Sequence, residues 1–95
     1  MFQVTLLSDV TESGIRHTTF QTCPIVCSAQ IDIETDAHII RRVQYTGGCN
    51  GNTQGISALV EGMKIQDAIA RLQGIDCGGR GTSCPDQLAR ALKQL

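Results

Sequence analysis

The chain has 95 residues, of which 41% are hydrophobic, and a formal net charge of -1 at pH 7. This length supports one domain, spanning residues 1–95, and leaves no material for a second core. The charge balance and the presence of only three aromatic residues argue against direct nucleic-acid binding. We see no signal peptide, no stretch that could span a bilayer and no basic run for a membrane surface, so we expect a cytoplasmic protein.

The first quarter of the sequence has the composition of two β-strands. Apolar and polar residues alternate from Phe2 to Leu6, and residues 15–20 are rich in β-branched and aromatic side chains. Polar residues and a glycine cluster between them, at residues 9–14, and predict the connecting turn.

A hairpin is predicted for the next two strands. Ile31 and Ile33 alternate with polar residues, and residues 35–37 interrupt the pattern. After this break, the residues that we expect to share one face of a strand are Ile39, Val43 and Tyr45.

The second half of the sequence changes to the period of an α-helix. The first apolar set at helical spacing is Ile56, Leu59, Val60 and Met63. The second set, which ends before Gly74, is Ile65, Ala68, Ile69 and Leu72; the third is Leu88, Ala91, Leu92 and Leu95. These patterns predict an α+β fold, in which an antiparallel sheet of about four N-terminal strands is followed by three helices packed on it.

The most informative segment is the glycine-rich turn with two thiols, Cys77 and Cys84, before the last helix. Pro85 suits the first turn of that helix, and the Asp86 carboxylate complements the positive end of the helix dipole. The same dipole favours a thiolate over a thiol, so Cys84 is placed for reactivity or metal binding.

Four of the five cysteines fall at the ends of predicted elements. Cys27 opens the third strand, Cys49 lies in the glycine-rich turn before the first helix, and Cys77 and Cys84 bracket the turn before the last helix. Such ends can converge at one edge of the fold, where four thiolates would make a site for zinc or an iron-sulfur cluster. An odd number of cysteines in a reducing compartment also favours metal binding or catalysis over disulfides. We expect Cys23 to be a buried small hydrophobe instead.

Other polar residues give weaker signals. Arg80 and the helix N-terminus could hold an anion such as sulfate, although residues 78–83 lack the ending of a phosphate-binding P-loop. His17 and His38 are isolated, and we expect each to be exposed or satisfied rather than a ligand. No pair of carboxylates is arranged for acid-base catalysis.

The residues Thr82-Ser83-Cys84-Pro85-Asp86 carry the signature for which the TSCPD domain family is named, and residues 27–92 follow the rest of its pattern. The family includes small stand-alone bacterial proteins, which this chain resembles, and a domain near the C-terminus of cobalamin-dependent ribonucleotide reductases. The resemblance implies metal binding through Cys27, Cys49, Cys77 and Cys84. The chain is also similar, more weakly, to iron-sulfur cluster scaffold proteins, whose three thiol positions would be Cys27, Cys49 and Cys84.

Three hypotheses for the function follow. The leading one is a non-catalytic module that holds zinc or an iron-sulfur cluster and serves ribonucleotide reductase or the iron-sulfur machinery as a partner or scaffold. The second is a thiol redox accessory, in which Cys77 and Cys84 pass electrons to a ribonucleotide reductase. The third is a plain interaction domain with incidental cysteines. A reductase acting alone is excluded, because 95 residues offer neither a nucleotide pocket nor a radical-generating site; a homo-oligomer is left open.

Overall fold

The structure is a computed structural model, and it describes residues 2–26, 28–48, 50–79 and 81–95, without the side chain of Asn50. Its four strands are β1 (Thr5–Glu12), β2 (Ile15–Gln21), β3 (Ser28–Asp36) and β4 (Ile39–Gly47). They form one antiparallel sheet in the order β1-β2-β3-β4. The three helices follow in the chain and are α1 (Asn50–Val60), α2 (Ile65–Leu72) and α3 (Cys84–Leu92). The predicted α+β fold is therefore confirmed.

The hydrophobic core lies between one face of the sheet and the helices. Phe20, Ile31 and Ile33 point inward from β2 and β3, and each is at most 1% exposed. Leu88 and Leu92 of α3 belong to the same cluster, as the helical spacing predicted, and Leu95 packs against it. Helix α1 lies on β4, whereas α2 lies on α3. No helix among the described residues is long and apolar enough to cross a membrane.

Both hairpin turns are shorter than the sequence suggested. Strand β1 continues through Asp9 to Glu12, and only Ser13 and Gly14 connect it to β2. Both residues have positive φ, 52° and 81°, which is the geometry of a two-residue turn that matches the twist of the strands. Residues 35 and 36, expected in a break, are likewise the last pair of β3. Polar residues were mistaken for a turn because β1 is an edge strand that is exposed along its whole length.

A β-bulge changes which residues of β4 face the core. Glu34 pairs with Arg42, but Thr35 pairs with Ile40, so Arg41 is an extra residue. A bulge shifts the alternation of side chains by one position. Ile40 is therefore fully buried, and the expectation that Ile39 shares a face with Val43 and Tyr45 is wrong for Ile39.

The apolar set of the first helix is also only partly buried. Ile56 and Val60 face the core, but Leu59 is 77% exposed, contrary to the prediction from spacing. Helix α1 ends at Val60, and Met63 is half-buried in the connection to α2. A short helix against an edge strand buries a narrower stripe than the apolar pattern suggests.

Candidate functional site

Helix α3 begins with a complete side-chain cap. Ser83 is the N-cap residue, and its Oγ accepts a hydrogen bond of 3.1 Å from the backbone N–H of Asp86. The Ser83 hydroxyl also donates to the carbonyl of Ile75 at 2.6 Å. Pro85 occupies the first turn, where no N–H is required. The start of the helix, which presents Cys84, is therefore held from both sides.

Asp86 does more than complement the helix dipole. Its side chain is buried, and its two carboxylate oxygens accept hydrogen bonds from the Gly74 N–H (2.7 Å), the Thr82 hydroxyl (2.5 Å) and Arg90 Nε (2.8 Å). Burial by itself would raise the pKa of Asp86, but the hydrogen bonds from Arg90, Thr82 and Gly74 outweigh it and hold the pKa below its ordinary value. Asp86 thus joins the end of α2 to the start of α3.

Cys84 is a buried thiol that faces the start of β3. It is 9% exposed, and its Sγ lies 3.3 Å from the hydroxyl oxygen of Ser28. The Tyr45 hydroxyl donates a 2.9 Å hydrogen bond to the Cys84 carbonyl. Burial raises the pKa of Tyr45 above its usual range, with a smaller contribution from the adjacent Cys84. The Tyr45 hydroxyl therefore remains neutral and donates its hydrogen bond to the backbone of Cys84.

Cys77 lies in a different environment. It is exposed, and its backbone N–H donates to the Thr82 carbonyl at 3.2 Å, which closes the turn before α3. The Asp76 carboxylate holds this turn by accepting hydrogen bonds from the N–H groups of Gly79, at 2.6 Å, and Gly81. Arg80, predicted to hold an anion, lies outside the described residues.

The backbone of the glycine-rich turn before α1 approaches the start of β3 closely. Gly47 pairs with Ser28 in the sheet, and a Cβ added to Gly48 would lie 3.2 Å from the Ser28 nitrogen. Gly48 also has a φ of +89°, which a residue with a side chain rarely adopts. Ser28 therefore lies close to the Gly48 backbone and contacts the Cys84 thiol.

Two of the four predicted ligands, Cys27 and Cys49, lie outside the described residues. Among the residues that are described, no three His, Cys, Asp or Glu side chains lie together in a way that could hold a metal ion. His38 is exposed, and His17 is partly buried in β2 with its ring 3.8 Å from the Glu34 carboxylate. The structure thus describes two of the four predicted cysteine ligands, Cys77 and Cys84.

Sequence reasoning missed Gln87, which is fully buried beneath the site. Its Oε1 accepts a 2.9 Å hydrogen bond from the Cys23 N–H, and its Nε2 donates to the Phe2 carbonyl and the Thr82 hydroxyl. Cys23 itself is buried in an apolar cluster, as predicted. The sequence pattern of α3 did not indicate that this polar side chain is buried, because its hydrogen-bond partners Phe2 and Cys23 come from a distant segment of the chain.

The protein is a small α+β domain in which three helices pack on four antiparallel strands. A buried cysteine, Cys84, lies at the start of the last helix, where the helix meets the sheet. A family model described as the TSCPD domain matches residues 6–95. The match covers nearly the whole chain, which therefore belongs to the TSCPD domain family. No curated protein and no solved structure matches the chain.

The structure gives each residue of the signature pentapeptide a physical role. Thr82 donates to Asp86, Ser83 caps the helix, and Pro85 occupies its first turn. Asp86 binds the Gly74 N–H, while the thiol of Cys84 is directed at Ser28. Four of the five residues position the helix start, and the fifth presents a thiol there.

Proposed function

We propose that the domain binds a metal, zinc or an iron-sulfur cluster, through Cys27, Cys49, Cys77 and Cys84, and acts as a non-catalytic partner or scaffold. The observation that carries the proposal is the position of Ser28. This residue follows Cys27 in the sequence, lies against Gly48, which precedes Cys49, and contacts the Cys84 thiol. Because consecutive Cα atoms are about 3.8 Å apart, ligands drawn from these three segments would be neighbours.

The surroundings of Cys84 suit a metal thiolate. Thiolate ligands are commonly oriented by hydrogen bonds from a second layer of residues. The Ser28 hydroxyl, 3.3 Å from the Cys84 sulfur, is able to donate such a bond. Cys77 would complete the set from the turn that Asp76 holds, and its exposure leaves room for a partner to approach.

The partner that we propose is a ribonucleotide reductase or a component of iron-sulfur assembly. This part of the proposal rests on the resemblance to the domain of cobalamin-dependent ribonucleotide reductases and, more weakly, to cluster scaffold proteins. An exposed Cys77 in the turn that leads to the buried Cys84 also supports a second candidate, a dithiol couple that passes electrons to the reductase. Both candidate functions depend on the Cys84 thiol at the start of α3.

Metal analysis tests the proposal directly. The protein is purified without oxygen, and zinc, iron and acid-labile sulfide are measured per chain. Replacement of Zn²⁺ by Co²⁺ then reports the ligands, because tetrahedral thiolate coordination gives intense sulfur-to-cobalt absorption. We expect one zinc, or one cluster, and a Co²⁺ spectrum typical of four thiolates.

Single cysteine variants separate the candidates. Cys27→Ser, Cys49→Ser, Cys77→Ser and Cys84→Ser should each abolish stoichiometric metal binding, whereas the control Cys23→Ala should retain it. A metal-free protein whose reduction of a disulfide substrate depends on Cys77 and Cys84 but not on Cys27 would support the redox couple instead. Absence of both properties would leave an interaction domain.

A further inference from the structure

A groove of about 800 Å³ lies at the end of the sheet opposite to Ser28. Its walls are the two hairpin turns, the start of α2 and the end of α3. Among the residues that the structure describes, it shares none of its lining with the region around Cys84. Its volume falls within the range of roughly 300–1,000 Å³ that is typical of small-molecule sites.

The charged side chains that line the groove are all basic. The chain contains only two lysines, Lys64 and Lys93, and both line the groove, as do Arg16 and His38. None of the nine Asp and Glu residues is among its lining residues. Arg16 is engaged by the Asp9 carboxylate beyond the rim, at 2.7 Å, so the two lysines are the main source of positive potential. Against the single α-carboxylate of Leu95, the two lysines leave a local excess of positive charge in a domain whose net charge is -1.

The floor of the same groove is apolar. Ile69 and Leu92 are core residues whose surfaces reach the groove, and Ile65 and Leu95 are half-buried along it. An apolar surface in a groove that two lysines also line suits a ligand that has both an aliphatic body and an anionic head. A fully hydrated anion would leave this floor uncovered, and a neutral lipid would leave the lysines without counter-ions.

We infer that this groove binds a small amphipathic organic anion, namely an aliphatic carboxylate. Its chain lies on Ile69 and Leu92, and its carboxylate is held by Lys64 and Lys93. Nothing in this inference depends on the cysteines or on a metal. Through this site the domain would bind a carboxylate metabolite at the end of the fold that lies opposite to the first turn of α3.

The two lysines make the groove directly observable. Reductive methylation with ¹³C-formaldehyde labels Lys64 and Lys93 while their positive charge is kept, so their methyl signals in NMR spectra report this groove. The full chain is used without a C-terminal tag, because Leu95 lines the site. Octanoate is the probe, with acetate as the head group alone and octanol as the aliphatic chain alone.

We expect octanoate to shift both lysine signals in a saturable manner. Acetate should bind at least about tenfold more weakly, since each buried methylene contributes roughly fourfold to affinity. Lys64→Gln and Lys93→Gln, each followed by the signal of the remaining lysine, should weaken octanoate by about twofold to fivefold. The matched control is Arg71→Gln, which removes an exposed charge outside the groove and should change nothing.

Three results would overturn the inference. The first is that octanoate does not shift the lysine signals, and the second is that acetate binds as tightly as octanoate. The third is that Arg71→Gln lowers the affinity for octanoate as much as the lysine substitutions do. Leu95→Ser provides an independent check, because it shortens the apolar floor without removing a fully buried side chain, and it should weaken octanoate but not acetate.

Discussion

The backbone N–H of Gly74, just beyond the end of α2, donates a 2.7 Å hydrogen bond to the carboxylate of Asp86 in the first turn of α3. The bond spans twelve residues and fixes the ends of the intervening loop. Since this loop contains Cys77 and leads to Cys84, the geometry of the candidate site depends on Asp86.

Asp86→Asn should destabilise the protein by about 2–4 kcal/mol. The carboxylate accepts three hydrogen bonds, and an amide would turn an NH₂ group toward at least one donor. Urea unfolding measures the change in the free energy of unfolding. Asp36→Asn, an exposed residue at the end of β3, is the control and should lie within about 0.5 kcal/mol of wild type. Equal effects of the two substitutions would show that the network is unimportant.

The same carboxyl group predicts how stability depends on pH. The pKa of Asp86 is lower in the folded protein than in the unfolded chain, so its contribution is present at pH values above the unfolded pKa of about 4. The contribution is lost as the pH falls from that value through the folded pKa. The difference in unfolding free energy between wild type and Asp86→Asn should therefore be constant from pH 5 to 7 and shrink at more acidic pH. A difference that grows in acid would reverse the sign and refute the assignment.

Gln87→Leu should cost about 2–4 kcal/mol despite the similar volume of the two side chains. The substitution leaves the Cys23 N–H and the Phe2 carbonyl without their buried partner. Hydrogen exchange would show faster exchange of the Cys23 amide. Gln94→Leu, which removes one hydrogen bond to the Val4 carbonyl near the end of the chain, should have a much smaller effect. Unchanged protection of Cys23 in Gln87→Leu would contradict the structure.

Gly48→Ala should be more disruptive than Gly14→Ala. Both glycines have a φ above +80°, so both substitutions introduce backbone strain of about 1 kcal/mol or more. Only Gly48 is crowded, because its added Cβ would meet the backbone of Ser28, whereas a Cβ on Gly14 would meet nothing within 4 Å. We expect Gly48→Ala to lower the unfolding free energy by at least about 1 kcal/mol more than Gly14→Ala. It should also weaken metal binding at the proposed centre.

Truncating two leucines would test the assignment of the core. Leu88 is fully buried, so Leu88→Ala should cost about 3–5 kcal/mol, whereas Leu59→Ala should cost less than about 0.5 kcal/mol. Thermal and urea unfolding of the two variants provide the comparison. Similar losses would mean that Leu59 is buried after all.

The sequence by itself determined the fold class, the three helices and the start of α3. Period and local chemistry decide these features: Pro85 and Asp86 specify a helix start within one turn of chain, and Leu88 and Leu92 mark its buried face. The position of Cys84 at that start followed from the same few residues.

Only the tertiary structure decided which residues meet across the fold. The bulge at Arg41 moved Ile40 into the core, and Leu59 was left exposed. Some of the contacts join segments that are up to 85 residues apart in the sequence. They include the hydrogen bonds of buried Gln87, the contact of Ser28 with Cys84 and the groove around both lysines. The periodic spacing of apolar residues shows which face of its own helix or strand a residue occupies. The contacts between distant segments depend instead on strand register and helix placement, which many weak interactions along the whole chain decide together.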